Sequence, residues 1–214
     1  MSVVSETYRT SHIGRGSDYH TKFDDNPRRR LIWGIEQRIL DDILKRFLNA
    51  RSIDYLDFAC GTGRILNYLE SRVTSAIGID ISPTMLQVAR QNVQCSEIIE
   101  ADLTQDAVLG ERQFDLITAF RFFPNAEPAL RALALNKLTN HLKPDGILVF
   151  NNHRSNGSLR SRLARVATWG RRGHGGMSPH EVLELVRSSD LTISKRYHAG
   201  IVPEFETFLL QPRF

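Results

Sequence analysis

Residues 56–63 read Leu56-Asp57-Phe58-Ala59-Cys60-Gly61-Thr62-Gly63, and nineteen positions after Gly61 an acid follows in Gly78-Ile79-Asp80-Ile81-Ser82. The order is an apolar strand, a glycine turn, a helix and then a carboxylate at the tip of a second strand. That order suits a nucleoside: glycines let backbone N–H groups come close to a ligand, and the acid accepts from two ribose hydroxyls. A dinucleotide carrier and an adenosyl cofactor compete for such a turn. The dinucleotide pattern needs Gly-x-Gly-x-x-Gly, whereas Gly61-Thr62-Gly63 is followed by Arg64, Ile65 and Leu66. The last glycine is missing, which favours the adenosyl cofactor.

Periodicity on either side alternates helix and strand. Asn26-Pro27 is a cap followed by a first-turn proline, and Ile32, Ile35, Ile39 and Ile43 recur at helical spacing, predicting a helix to about Leu48. Strands are expected over 53–58, 75–81, 97–101, 114–120 and 147–151, and helices over 64–71, 84–92 and 127–142. Lys143-Pro144-Asp145-Gly146 is turn chemistry that ends the last of these helices. Ser178-Pro179-His180-Glu181 is a capping box opening a helix to about Asp190, and 191–201 and 205–211 are closing strands, read as a hairpin. The alternation predicts an α/β fold with a largely parallel sheet, whose ligands bind beyond the carboxyl ends of the strands.

Length and composition fit one domain over 1–214, with 41% hydrophobic and 24% charged residues. Residues 1–25 lack an apolar leader core, and no run reaches the ~20 apolar residues of a membrane span. Cys60 and Cys95 are too few for a disulfide framework, so a reduced, cytoplasmic setting is expected. Net charge is only +4, but from His153 to His180 there is no acid and there are six arginines. That local field attracts an anion. The histidines do not pair with acids at ligand spacing, so no metal is expected.

With these residues in view, the chain resembles the class I S-adenosylmethionine-dependent methyltransferases. Asp57-x-Ala59-Cys60-Gly61-Thr62-Gly63 is similar to their first motif, with Ala59 where many members carry glycine. Ile79-Asp80-Ile81-Ser82-Pro83-x-Met85-Leu86 resembles their ribose-binding strand end and following helix. Glu100-Ala101-Asp102-Leu103 resembles the third-strand turn, Phe114-Asp115-Leu116-Ile117 the fourth strand, and Leu142-Lys143-Pro144-Asp145-Gly146 the approach to the fifth. Phe120-Arg121-Phe122-x-x-Asn125 is similar to small bacterial members whose acceptor is unassigned. The implied fold is Rossmann-like and doubly wound, mostly parallel with an antiparallel closing strand and helices on both faces.

The resemblance also implies roles. Ala59, Gly61 and Gly63, with Cys60 between them, would pass the backbone close to the methionine part of S-adenosylmethionine, and Asp57 would neutralise its amino group. Asp80 would hold the ribose, Ile81 and Met85 would sandwich the adenine, and Asp102 would take the exocyclic amine beside the Leu103 backbone. Phe120 would lie beside the reactive methyl. Residues 1–25 form an expected lid in which Tyr19 closes over the cofactor. His20 and His153 are the candidate bases.

Arg121, Phe123 and Asn125 after the fourth strand, with Asn151 and Arg154 after the fifth, are expected to bind the acceptor. A basic insertion over 152–177 would flank them. Arginine directly after a buried strand needs an anionic partner. The expected reaction is methyl transfer, taken as O-methylation, to a small acidic acceptor such as a phosphorylated or nucleotide-linked sugar or a carboxylate. S-adenosylhomocysteine is the product, and the protein is a monomer or homodimer. RNA methylation and a non-catalytic cofactor-binding scaffold stay open, although no Asn-Pro-Pro-Tyr-like tetrapeptide follows the fourth strand.

Overall fold

The computed structural model describes residues 26–47, 52–153, 176–198 and 205–213. Tyr19, His20, Arg154, the expected lid over 1–25 and most of the 152–177 insertion lie outside the described residues, as does the His153 side chain. The elements in chain order are α1 (Pro27–Phe47), β1 (Asp54–Phe58), α2 (Arg64–Glu70), β2 (Ser75–Asp80), α3 (Pro83–Asn92), β3 (Glu97–Glu100) and β4 (Phe114–Thr118). They continue with α4 (Pro128–Asn140), β5 (Leu142–His153), α5 (Pro179–Arg187), β6 (Leu191–His198) and β7 (Phe205–Pro212).

The described strands form one seven-stranded sheet in the order β3-β2-β1-β4-β5-β7-β6. The first five are parallel, and β7 runs antiparallel between β5 and β6. The order reverses at β1 and β4, so the tips of these two strands open a crevice.

Side chains alternate along each strand, which sorts the core into two faces. Leu56, Ile117, Leu148 and Leu210 pack on one face with Leu135 and Leu138 of α4 and Val182 and Val186 of α5. Their neighbours Tyr55, Leu116, Val149 and Leu209 pack on the other with Leu40 and Ile43 of α1 and Leu66 and Leu69 of α2. Helices therefore cover both faces, and β4 is buried along its whole length, as a strand flanked on both sides should be.

The helix starts follow from local chemistry. The Arg29 N–H donates to Asn26 Oδ1 at 3.3 Å, and Met85 N–H to Ser82 Oγ at 3.4 Å. At α5 the capping box is reciprocal: Glu181 N–H donates to Ser178 Oγ at 3.2 Å and Ser178 N–H to Glu181 Oε2 at 2.7 Å. Each such cap contributes roughly 1 kcal/mol.

One expected boundary is corrected. Lys143-Pro144-Asp145-Gly146 does not sit before β5 but within it, as a bulge between the pairs Phe114–Leu142 and Leu116–Ile147. Phe114 N–H donates to the His141 carbonyl at 2.8 Å, so pairing starts before the turn chemistry rather than after it. A Cβ on Gly146 would stand 2.8 Å from the Phe114 carbonyl oxygen, so glycine is required by close backbone approach. Among the described residues no helix is long and apolar enough to cross a membrane.

Candidate active site

The crevice at the strand tips holds a cavity of about 170 Å³, an order of magnitude above the roughly 10–15 Å³ that one water occupies. Its walls come from the β1–α2 loop, the tips of β2 and β3, and the segment after β4. A short left-handed path builds the first wall: Ala59 has φ 55°, Gly61 57° and Gly63 73°. The tip of β2 pins it, with Cys60 N–H donating to the Ile79 carbonyl at 3.0 Å and Gly61 N–H to Asp80 Oδ2 at 2.8 Å.

The two glycines serve different ends. A Cβ on Gly61 would meet nothing within 4 Å, and the residue lines the cavity. A Cβ on Gly63 would stand 3.2 Å from Ala89 Cβ and 3.3 Å from Val93 Cγ1. Gly63, expected beside the cofactor, is not among the residues lining the cavity and lets the loop pack closely on α3. Ala59 pays for its left-handed backbone, a conformation that costs about 1–2 kcal/mol for a residue with a Cβ. Ala59→Gly is expected to raise stability by about 0.5–1 kcal/mol after the extra unfolded-state freedom of glycine is subtracted, read as a higher urea midpoint with an unchanged slope.

Asp57 lies in the buried stretch of β1 and lines the cavity. Its Oδ1 accepts from Thr118 Oγ1 at 2.7 Å, while Oδ2 is buried with no partner. Burial pushes its pKa up to about 7, against the Thr118 hydrogen bond and the Arg64 charge. The Cys60 thiol is also pushed up, chiefly by burial. Asp80 Oδ1 accepts from Ser82 N–H at 2.9 Å, so this carboxylate ties the loop and the start of α3 together.

Ile81, Met85, Ala101, Asp102, Leu103 and Thr104 line the next part of the wall. Asp102 is the organiser of its own turn. Its Oδ1 accepts from Thr104 N–H at 3.0 Å and Thr104 Oγ1 at 2.5 Å, and its Oδ2 from Gln105 Nε2 at 3.0 Å.

After β4 the backbone turns left-handed again, at Arg121 with φ 64°. Phe120, Arg121, Phe122 and Asn125 reach the cavity. Phe123 does not; it is fully buried, with its ring centroid 4.8 Å from that of Phe150 and 5.3 Å from that of Phe122. Its expected acceptor contact is corrected to core packing, because the turn at Arg121 breaks the alternation of a continuing strand. Asn151 is corrected too. It is buried, accepts from Arg121 N–H at 2.6 Å and donates to Glu36 Oε1 at 3.0 Å, so both ends of its amide are used inside the protein. Asn125 Nδ2 donates to the Arg121 carbonyl at 2.5 Å.

The anionic partner required by Arg121 is Glu36, a residue sequence reasoning passed over. Glu36 is fully buried and accepts from Arg64 Nη1 at 3.0 Å and from Arg121 Nη2 at 3.3 and 3.4 Å. The Arg64 guanidinium also lies over the Trp33 ring at 4.1 Å. The signal was present: Glu36 falls between Ile32 and Leu40 on the apolar stripe of α1, where an acid must be paired.

Comparison with known proteins meets this geometry. Residues 56–150 match the family described as "Methyltransferase domain". That segment, a little under half of the chain, is similar to methyltransferase domains. The chain is 28% identical over 147 residues to a dTDP-3-amino-3,6-dideoxy-alpha-D-glucopyranose N,N-dimethyltransferase of Streptomyces fradiae, covering 68% of this chain and 51% of that one. It is 27% identical over 153 residues to a malonyl-[acyl-carrier protein] O-methyltransferase of Enterobacter lignolyticus, covering 70% and 55%. The chain spans about half the length of these relatives. In fold it matches the magnesium protoporphyrin IX methyltransferase of Synechocystis PCC 6803, with a TM-score of 0.74, 14% identity and coverage of 96% and 97%.

The cofactor of the family is S-adenosylmethionine, and the cavity fits it. The partnerless Asp57 oxygen suits an ammonium, Asp80 suits vicinal hydroxyls, and Ile81, Met85 and Leu103 suit an apolar ring.

Proposed function

We propose that the chain transfers a methyl group from S-adenosylmethionine to a small, negatively charged, sugar-linked acceptor. The observation that carries this reading is one cavity lined by Asp57 and Asp80 and also by Arg64 and Arg121, two arginines that meet at Glu36. Guanidinium groups suit a phosphate or carboxylate. The cofactor supplies a methyl group already activated on a sulfonium. The protein's task is alignment, which at ~3–3.5 Å removes several kcal/mol from a barrier. Phe58, Phe120 and Phe122 give the cavity apolar walls that exclude water.

The sugar-linked acceptor is further supported by relatives such as the Streptomyces fradiae enzyme and a dTDP-4-amino-2,3,4,6-tetradeoxy-D-glucose N,N-dimethyltransferase of Saccharopolyspora spinosa, 29% identical over 154 residues. Those names specify nitrogen, whereas the sequence reading favours oxygen, so the test carries both. Purified protein is given S-adenosylmethionine with dTDP-linked amino sugars, nucleotide-linked hydroxy sugars or carboxylate metabolites. S-adenosylhomocysteine release and product mass are then read. Turnover with nucleotide-linked sugars but not with the unlinked sugars supports the proposal. A protein that binds S-adenosylhomocysteine yet methylates none of them is a scaffold.

A further inference from the structure

We infer that Thr118, backed by Tyr55, is a positioning residue that holds one oxygen of Asp57 so that the other faces the cofactor's amino group. The inference rests on the cofactor reading above. Asp57 and Thr118 are register partners on the parallel strands β1 and β4, and all three side chains are buried. Thr118 Oγ1 donates its only proton to Asp57 Oδ1 at 2.7 Å. The 2.7 Å contact between Tyr55 OH and Thr118 Oγ1 must then run with tyrosine as the donor.

The direction of this chain decides its role. Burial raises the pKa of Tyr55 well above the usual phenol range, so its proton stays in place. The chain ends at that phenol, fully inside the sheet, with no route to solvent through Tyr55. It therefore orients and stabilises a carboxylate and does not conduct protons. Oδ2 is buried with no hydrogen-bond partner on a residue that lines the cavity, and it is the oxygen assigned to the ligand; the Leu66 backbone N–H at the start of α2 also favours the charged carboxylate. The other ionisable groups acting on Asp57 are Arg64 on α2, which favours its charge, and Asp80 at the tip of β2, which opposes it. Cys60 and Tyr55 complete the set and stay neutral.

Removing the Thr118 hydroxyl takes a hydrogen bond from the charged form of Asp57, so its proton is lost at higher pH. An ammonium ligand needs that proton gone. Binding should therefore weaken as pH falls through the Asp57 pKa of about 7, and Thr118→Val should move the midpoint upward.

The experiment is calorimetry of S-adenosylhomocysteine from pH 6 to 9 on the full chain and its Thr118→Val, Thr118→Ser and Tyr55→Phe variants, each with a thermal melt. Thr118→Val is expected to lose about tenfold in affinity near neutral pH, the scale of one hydrogen bond to a charged group, with a raised midpoint. Thr118→Ser should restore both, and Tyr55→Phe should show a smaller shift in the same direction. A Thr118→Val protein with wild-type affinity and midpoint overturns the inference, and so does one that only melts earlier. A wild-type chain that fails to bind S-adenosylhomocysteine at all overturns the cofactor reading instead.

Discussion

Asp80→Ala is expected to lose roughly 100-fold or more in affinity for S-adenosylhomocysteine, the loss of two hydrogen bonds to a charged group at about 1.5–3 kcal/mol each. The carboxylate does two jobs, and the measurement has to separate them. Within the protein its oxygens accept from Gly61 N–H and Ser82 N–H, and so hold the loop that carries the cavity wall. A carboxylate presents about four acceptor positions, so these two bonds leave it able to serve a ligand as well. Asp80→Asn has a single amide oxygen, and one of the two N–H groups must then face an NH₂. That variant should lose affinity too, through both the lost charge and the lost acceptor. Calorimetry and thermal melts on both variants give the answer. Wild-type affinity in Asp80→Ala would remove the ribose role, and a large drop in melting temperature with intact affinity would make the residue a loop tether only.

Glu36→Ala is expected to cost about 3–5 kcal/mol of stability, the range for breaking a buried ion pair from one side. Two guanidiniums and the Asn151 amide lose their common acceptor at once. For a chain of this size that corresponds to a fall of about 10 °C in melting temperature. Glu36→Gln keeps the shape and one acceptor oxygen and should lose less. The same change should weaken acceptor binding more than cofactor binding, because Arg121 is held from both sides by Glu36 and Asn151. A melting temperature within a degree or so of wild type would show that the cluster relaxes around water, and the argument for rigidly held guanidiniums would go with it.

The parts legible in the sequence are those governed by neighbours a few residues apart. Asn26, Ser82 and the Ser178–Glu181 box cap helices through contacts three positions away. The two-residue alternation of strands and the glycine turn with its acid are local patterns of the same kind. Glu36 belongs here as well, since its place on the α1 stripe already demanded a partner. The partner's identity did not follow, because Arg121 is 85 residues away and Asn151 is 115.

What depends on sheet order could not be read along the chain. Thr118 and Asp57 meet across 61 residues only because β4 docks beside β1 in that register. Lys143-Pro144-Asp145-Gly146 has the composition of a turn, yet pairing with Phe114 draws it into β5 as a bulge. Phe122 rather than Phe123 lines the cavity because Arg121 adopts a left-handed backbone, held by the Asn151 side chain from the next strand. Local steric and capping preferences thus set the elements and the nucleoside loop in advance. Which oxygen of Asp57 is left without a partner, and which side chains line the cavity after β4, were settled only when strands far apart in sequence packed together and filled each other's hydrogen-bonding needs.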